Sequence, residues 1–478
     1  MKKRIIIIGA GPAGLTAAYE LSKDPSIQVD VFEATDTPGG MCKSLHLWNC
    51  IVDIGPHRFF SYDTRVNKLW LEVVQQDYKM VNRFTRIYYK KQFFLYPIAP
   101  FDALKKAGFR TAAQCVCSYL KEMIIPVKQD GSFETWVMRR FGKKLYQMFF
   151  KTYSEKLWGM SCRDLDDDFA SQRIKKLSLL AVIANAFKGG KTTHKTLVDE
   201  FAYPLGGTGR IYQRMVEVII RNGGRIHYNH KVQGVCVENG EATSILLNDG
   251  KTIERCDEIV STMPLTDAVN SMRDVPDAIR GKVTKLKYRN TVIVYLKIDS
   301  TDLFSDNWLY VHSPKLQMGR ITNFRNWIPD LYSKNDYTIL AIEYWCYDYD
   351  ELWKYSEEEF IRLAATEIQQ TGLLKNNKIL DGFVYKISKS YPTYHRGYKN
   401  DIKPIEEFLQ TIKHCHFIGR YGAFKYNNQD HSILMGWMLA QNVLHNAGYD
   451  LWTVNTDYDN YQEGSLITQS GLSVKKQH

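Results

Sequence analysis

The residues with the clearest chemistry lie at the start of the chain. Gly9-Ala10-Gly11-Pro12-Ala13-Gly14 has the G-x-G-x-x-G spacing of a loop that cradles a dinucleotide. Gly9 makes the tight turn, Gly11 lets a pyrophosphate approach the backbone, and Gly14 lets helix and strand pack closely, with the helix N-terminus facing the phosphates. Glu33 stands nineteen positions after Gly14, where a carboxylate accepts hydrogen bonds from an adenosine ribose. Other clusters carry less chemistry. His414-Cys415-His416 alternates along one strand and cannot close a metal site without ligands from elsewhere, so no metal is expected. Asp166-Asp167-Asp168 reads as a solvated helix start, and no Ser-His-Asp or Cys-His arrangement stands out.

The elements that must position the loop follow from local pattern. Ile5 to Ile8 is a continuous β-branched run, as in a strand buried on both faces of a parallel sheet. Leu15, Ala18, Tyr19 and Leu21 give a helical pattern, and Gln28 to Phe32 a second strand. From about 100 to 196 the periodicity is helical, as in Trp136 to Lys156, and suggests an inserted helical domain. Arg225 to Tyr228, Lys231 to Val237, Ala242 to Leu247 and Glu258 to Thr262 read as strands, with Asn239-Gly240 and Asp249-Gly250 as turns. Further strands are expected at Thr291 to Ile298, Tyr337 to Tyr344 and His416 to Ile418, with helices near Glu357 to Gln370 and Ser432 to Leu444. Gly419-Arg420 reads as a turn and Glu463 to His478 as a loose tail. Gly206-Gly207-Thr208-Gly209 precedes a helix but lacks a recognisable strand before it, so a second nucleotide motif is not expected.

Composition sets the outer bounds. A chain of 478 residues suggests two to three domains, and 44% hydrophobic with 24% charged residues excludes disorder across most of it. The nine cysteines form no C-x-x-C pair and read as reduced thiols of a cytoplasmic protein. The apolar run after Met1-Lys2-Lys3-Arg4 stops at Gly9, unlike a signal peptide, and Leu177 to Phe187 is too short to span a bilayer. Two excesses remain, a net charge of +11 and a set of 30 tyrosines, 22 phenylalanines and 10 tryptophans. No nucleic-acid-binding module accompanies the charge, so nucleic acid is not an expected partner, while weak peripheral membrane contact stays open.

Glu33 is followed by a second glycine pair, Gly39-Gly40. This resembles the two-dinucleotide-binding-domain flavoproteins, which implies FAD, bound non-covalently. Gly419 to Gly436, GRYGAFKYNNQDHSILMG, resembles the C-terminal FAD segment of the UDP-galactopyranose mutases. Gly55-Pro56-His57 is similar to their histidine loop. Trp158 and Arg173 match their tryptophan and arginine in separation, and Trp308-Leu309-Tyr310 with Arg320 matches their W-x-Y…R segment. Tyr96-Pro97 and Tyr391-Pro392-Thr393 also have counterparts. The wider clan includes the amine oxidases and protoporphyrinogen oxidases.

The resemblance implies an α/β fold: a Rossmann-type FAD-binding domain built from 1–75, 205–275 and 412–446, a mainly helical domain at 76–204, a β-sheet substrate domain at 276–411 and a C-terminal tail at 447–478. It implies cofactor contacts from Gly9, Gly11, Gly14, Glu33, Gly39, Gly40, Gly419, Arg420, Asn428, Gln429, Asp430 and Ser432. His57, Arg173 and Arg320 are the implied catalytic set, with Tyr96, Trp158, Tyr310, Tyr391 and Tyr426 binding substrate. Two arginines suit a diphosphate because each holds it bidentately and stays charged at any working pH. Mutases of this family interconvert pyranose and furanose forms of UDP-galactose: reduced-flavin N5 attacks the anomeric carbon, UDP departs, and the ring recloses through a different hydroxyl. NAD(P)H or a reductase then serves as electron donor. The chain departs from the family at Ile98-Ala99-Pro100 and Val198 to Pro204, which leaves the nucleotide and the sugar open. The alternative function is a flavin oxidoreductase of the amine oxidase or protoporphyrinogen oxidase kind.

Overall fold

The computed structural model describes residues 2–96, 106, 108–174, 200–248, 250, 252–253, 256–332, 334–454 and 465–474. The expectations for Ile98-Ala99-Pro100 and for Leu177 to Phe187 lie outside the described residues. Contacts divide the chain into two units: Met1–Met80, Phe201–Lys287 and Lys399–His478 form the first, and Val81–Glu200 and Tyr288–Tyr398 the second. The helices and the sheet that the sequence suggested as separate domains thus cluster in one unit.

The first unit is built on five parallel strands in the order Cys415–Phe417, Glu258–Ser261, Lys3–Ile8, Ile27–Phe32 and Arg225–His227. Lys3–Ile8 is central, and Ile5, Ile6 and Ile7 are completely buried, which accounts for an unbroken β-branched run. Helix Pro12–Leu21 packs on helix Gln429–His445, and a Cβ on Gly436 would overlap the carbonyl of Ala13. The second unit carries a seven-stranded sheet in the order Ile379–Pro392, Tyr288–Ile298, Thr338–Cys346, Arg320–Asn323, Trp308–Val311, Thr85–Tyr89 and Gln92–Leu95. All its pairings are antiparallel except Trp308–Val311 with Thr85–Tyr89. Helix Glu357–Gln370 begins where its sequence says it should: Ser356 Oγ accepts from Glu359 N at 3.2 Å and the Glu359 carboxylate accepts from Ser356 N at 2.7 Å, a capping box.

Four local expectations are corrected. The C-terminal stretch is not a loose tail throughout, because Ser465–Thr468 and Gly471–Val474 form a hairpin. Asn67 Nδ2 donates to Ser465 O at 3.2 Å and Tyr78 OH to Thr468 O at 2.6 Å. Gly206 does have a strand before it, Glu200–Pro204, although that strand lies outside the five-stranded parallel sheet. Gly419-Arg420 opens a short helix, Gly419–Gly422. Asp166 and Asp168 are not merely solvated: Asp166 accepts from Gly397 N at 2.9 Å and Asp168 from Tyr398 OH at 3.0 Å, and burial pushes the Asp166 carboxyl up. Among the described residues no helix is long and apolar enough to cross a membrane.

The His414-Cys415-His416 strand has a structural partner. Glu258 receives His416 Nε2 at 2.8 Å and Lys3 Nζ at 3.3 Å, tying three neighbouring strands together. Burial alone would raise this carboxyl, but His416 and Lys3 overcome it and hold the group down at about 2. A carboxylate depressed in the folded state stabilises above its unfolded value, near 4.5, and loses that contribution as pH falls through the folded one. Glu258→Gln is therefore expected to destabilise the protein by about 1–3 kcal/mol at neutral pH. Paired chemical unfolding curves should converge as pH is lowered from about 5 towards 2. A gap that persists unchanged to acid pH contradicts this assignment.

Candidate active site

The three glycines of the dinucleotide loop are required for different reasons. Gly9 has φ +98°, and a Cβ there would overlap Thr262 Oγ1; a Cβ on Gly14 would overlap the carbonyl of Gly9. Gly11 differs, because its Cβ would meet only Gly40 Cα, at an ordinary 3.9 Å. The protein's own packing does not demand glycine there, which leaves the backbone open to the close approach of a ligand. Helix Pro12–Leu21 starts beside it with no side-chain cap on its first amides, the arrangement that receives a phosphate. Gly39 donates its N–H to Ala10 O at 2.8 Å and has φ +108°, which folds the Gly39-Gly40 pair against the loop. These residues fit a flavin dinucleotide.

Glu33 is buried and accepts from Ala10 N at 2.8 Å, Thr35 N at 3.0 Å and Thr35 Oγ1 at 2.7 Å. Lys43, which sequence reasoning missed, lies beside this group. Its Nζ donates to Thr35 Oγ1 at 3.0 Å and Thr37 Oγ1 at 3.3 Å, and burial lowers its ammonium against the opposing pull of Glu33 and Asp36.

His57 sits in a loop fixed by a second group that was also missed. Asp53 ends strand Cys50–Asp53 fully buried and accepts from Tyr203 OH at 2.8 Å, Thr208 Oγ1 at 2.7 Å and Ser44 Oγ at 2.5 Å. Burial raises its carboxyl while these donors oppose the rise. Thr208 Oγ1 also lies 3.0 Å from His57 O, and Gln429 Nε2 donates to the carbonyls of His57 and Arg58 at 3.2 and 3.0 Å. The glycines around Thr208 serve this junction, since a Cβ on Gly207 would overlap Ser44 Oγ. Gln429, expected on the cofactor, has its amide engaged within the protein, with Tyr212 OH on its oxygen at 3.1 Å.

The C-terminal segment returns to the loop. Gly419 has φ +82°, and a Cβ there would lie 2.9 Å from Ala13 Cβ, so the segment sits against the start of the dinucleotide helix. Arg420 Nη1 donates to Asn427 O at 2.7 Å and its guanidinium lies 4.7 Å from the Tyr426 ring centre. Asn428 is exposed at the head of helix Gln429–His445, whereas Asp430 and Ser432 are buried in its first turn.

The second unit gathers most of the expected substrate residues. Tyr310, Arg320 and Glu343 stand opposite one another on three neighbouring strands and therefore share a sheet face. Glu343 is buried and receives Arg320 Nε at 2.6 Å and Arg320 Nη2 in a bidentate pair. Burial opposes the guanidinium charge, but Glu343, with Tyr391 and Tyr153 nearby, holds it well above the ordinary arginine range. Tyr310 lies between the rings of Tyr96 at 5.0 Å and Tyr153 at 5.5 Å. Trp158 is fully buried, edge-on to Phe169 at 4.7 Å and Tyr391 at 6.2 Å, so it supports Tyr391 rather than presenting a surface. Arg173 lies on helix Asp167–Ile174. His57 and Tyr426 belong to the first unit. Among the described residues no group of three or more His, Cys, Asp or Glu is arranged to hold a metal.

Comparison with known proteins agrees with this architecture. The chain is similar to coproporphyrinogen III oxidase of Staphylococcus aureus (strain NCTC 8325 / PS 47), 33% identical over 93% of this chain and 99% of that protein. It is 22% identical to a 4,4'-diapophytoene desaturase of Methylomonas sp over 62% of this chain and 61% of that one. Among solved structures, reduced UDP-galactopyranose mutase superposes with a TM-score of 0.85, at 21% identity, over 96% of this chain and 98% of that chain. The fold is thus the mixed α/β fold of that mutase. The family described as flavin containing amine oxidoreductase matches residues 12–379. The loop of Gly9, Gly11 and Gly14 and the full-length likeness lead to one conclusion: the chain is a flavin-binding enzyme that belongs to the flavin containing amine oxidoreductase family.

Proposed function

We propose that the protein is an FAD-dependent mutase that interconverts the pyranose and furanose forms of a UDP-hexose of the UDP-galactose type. The observation that carries this reading is the state of Arg320. Glu343 occupies its Nε and Nη2 edge, so the guanidinium is held in one plane and Nη1 is left for a ligand. A buried cation needs such a counter-charge when no anion is bound. Tyr310 and Tyr391 add neutral donors near a diphosphate, and Arg173 is the second cation. FAD is held without a covalent bond by the Gly9 loop, Glu33 and the Gly419 segment, with the His57 loop beside it. When bound and reduced, by NAD(P)H or a reductase, the flavin supplies a nucleophilic nitrogen. The protein's residues orient the sugar nucleotide and retain the departing UDP, so that recombination stays intramolecular.

A second reading is favoured by the 33% identity to the Staphylococcus protein: an oxidoreductase acting on a porphyrinogen. Calorimetric titration separates the two. The mutase reading expects saturable binding of UDP to the holoenzyme, weakened about 5- to 10-fold in Tyr391→Phe, the loss of one hydrogen bond. Absence of UDP binding, together with rapid flavin reduction by coproporphyrinogen, contradicts it.

A further inference from the structure

Tyr310 and Arg320 lie on paired strands, Trp308–Val311 and Arg320–Asn323, joined by a connection of residues 312–319. Lys156, in the last turn of helix Thr152–Trp158, reaches into it. Its Nζ donates to Val311 O at 3.0 Å, Ser313 O at 3.2 Å and Met318 O at 2.8 Å. An ammonium has three N–H groups, and here each has a carbonyl. From the other side, buried Glu367 accepts the backbone N–H of Met318 at 2.8 Å and that of Gln317. A cation and an anion therefore grip the same short connection, one by its carbonyls and one by its amides. The charges also attract each other, since Glu367 opposes the fall in the Lys156 ammonium.

The helix that carries Lys156 is itself held by a second buried cation. Arg289 donates to Lys156 O and Leu157 O, each at 3.3 Å, and to Trp345 O at 2.6 Å, and its guanidinium lies 4.3 Å from the Tyr347 ring centre. Trp345 neighbours Arg320, at 5.9 Å from its guanidinium carbon to the ring centre. Tyr153, one turn before Lys156, touches both the Tyr310 ring and Trp345.

We propose that Lys156 is a positioning residue: its grip on the carbonyls of Val311, Ser313 and Met318, set against Glu367, holds the connection that joins the paired strands of Tyr310 and Arg320 and so steadies both side chains for a diphosphate. The proposal rests on the sugar-nucleotide reading above for the identity of the ligand. The ammonium lies in a position where burial lowers it to about 8, so keeping a charged lysine here is unfavourable to folding near neutral pH. Methionine at this site preserves the stem and removes the unfavourable charge, yet leaves three carbonyls without their donor.

The test is Lys156→Met in the full-length holoenzyme, with Lys156→Arg as the conservative companion. Hydrogen exchange of peptides covering 311–319 reads the grip without any substrate, because the Gln317 and Met318 amides are held by Glu367. Exchange there should accelerate at least about 10-fold in Lys156→Met while helix Gln429–His445 keeps its protection. KM for the UDP-hexose should rise about 10-fold with kcat changed less than about 3-fold, the pattern of lost ligand binding rather than lost chemistry. Lys156→Arg should recover most of the KM. If Lys156→Met fails to fold, Glu367→Gln, which loosens the opposite side, should show the same local exchange and KM rise. Unchanged exchange, or faster exchange with an unchanged KM, overturns the proposal. A wild type that does not turn over UDP-hexoses sinks the mutase reading instead, and the grip then stands or falls on the exchange rates alone.

Discussion

Arg320→Ala is expected to lower kcat/KM for the sugar nucleotide roughly 10³-fold while flavin stays bound. Two effects combine. The ligand loses a buried cation whose truncation typically costs about 2–5 kcal/mol or more, roughly 30-fold to several thousand-fold in binding or rate. The protein keeps Glu343, buried at 1% exposure, with its counter-ion gone. Breaking a buried pair from one side destabilises by about 3–5 kcal/mol, so the variant should also unfold at lower denaturant. The double variant Arg320→Ala/Glu343→Gln separates the two effects: stability should recover most of its loss, whereas turnover should not. Flavin absorbance reports the dinucleotide loop, which lies in the other unit, and should remain. Substantial turnover in the single variant, or flavin-free protein, contradicts this assignment.

Gly11→Ala should give folded protein that has lost its flavin, with cofactor content reduced at least about 10-fold. The contrast with Gly14→Ala makes this informative. At Gly14 a Cβ overlaps the Gly9 carbonyl, and at Gly11 it meets only Gly40 Cα at 3.9 Å. Overpacking at the first site costs about 1–3 kcal/mol; the second has room for a methyl group unless a ligand occupies it. The unfolding midpoint of Gly11→Ala should therefore match that of flavin-stripped wild type, since both lack the stabilisation that bound ligand confers. Gly14→Ala should fall below both. A Gly11→Ala protein that purifies with full flavin removes the argument that this space belongs to the cofactor.

The legible part of this molecule was the part written locally. Gly9, Gly11, Gly14 and Glu33 act within one βαβ stretch, so their spacing carries their geometry. Helix Glu357–Gln370 was expected from the sequence, and the capping box that starts it, Ser356 with Glu359, is equally local. Glu343 could not be found that way. It answers Arg320 only because Arg320–Asn323 and Thr338–Cys346 pair in one register, and a one-residue slip would turn it to the other face. Asp53 was hidden for the same reason: its donors Tyr203 and Thr208 lie about 150 positions away. Strand Glu200–Pro204 was missed because five residues of mixed character give too short an alternation to read. The C-terminal hairpin is partnered by Asn67 and Tyr78, which nothing near it in sequence reveals.

The central claim is a reaction without net oxidation that nevertheless requires reduced flavin. It is tested most directly by incubating the holoenzyme with UDP-galactofuranose under anaerobic conditions, before and after dithionite reduction, and resolving the sugar nucleotides by chromatography. The account predicts conversion to UDP-galactopyranose by the reduced enzyme and essentially none by the oxidised one. Failure of the reduced enzyme to convert UDP-galactofuranose, with flavin bound and UDP present in excess of its binding constant giving no protection or heat, contradicts it.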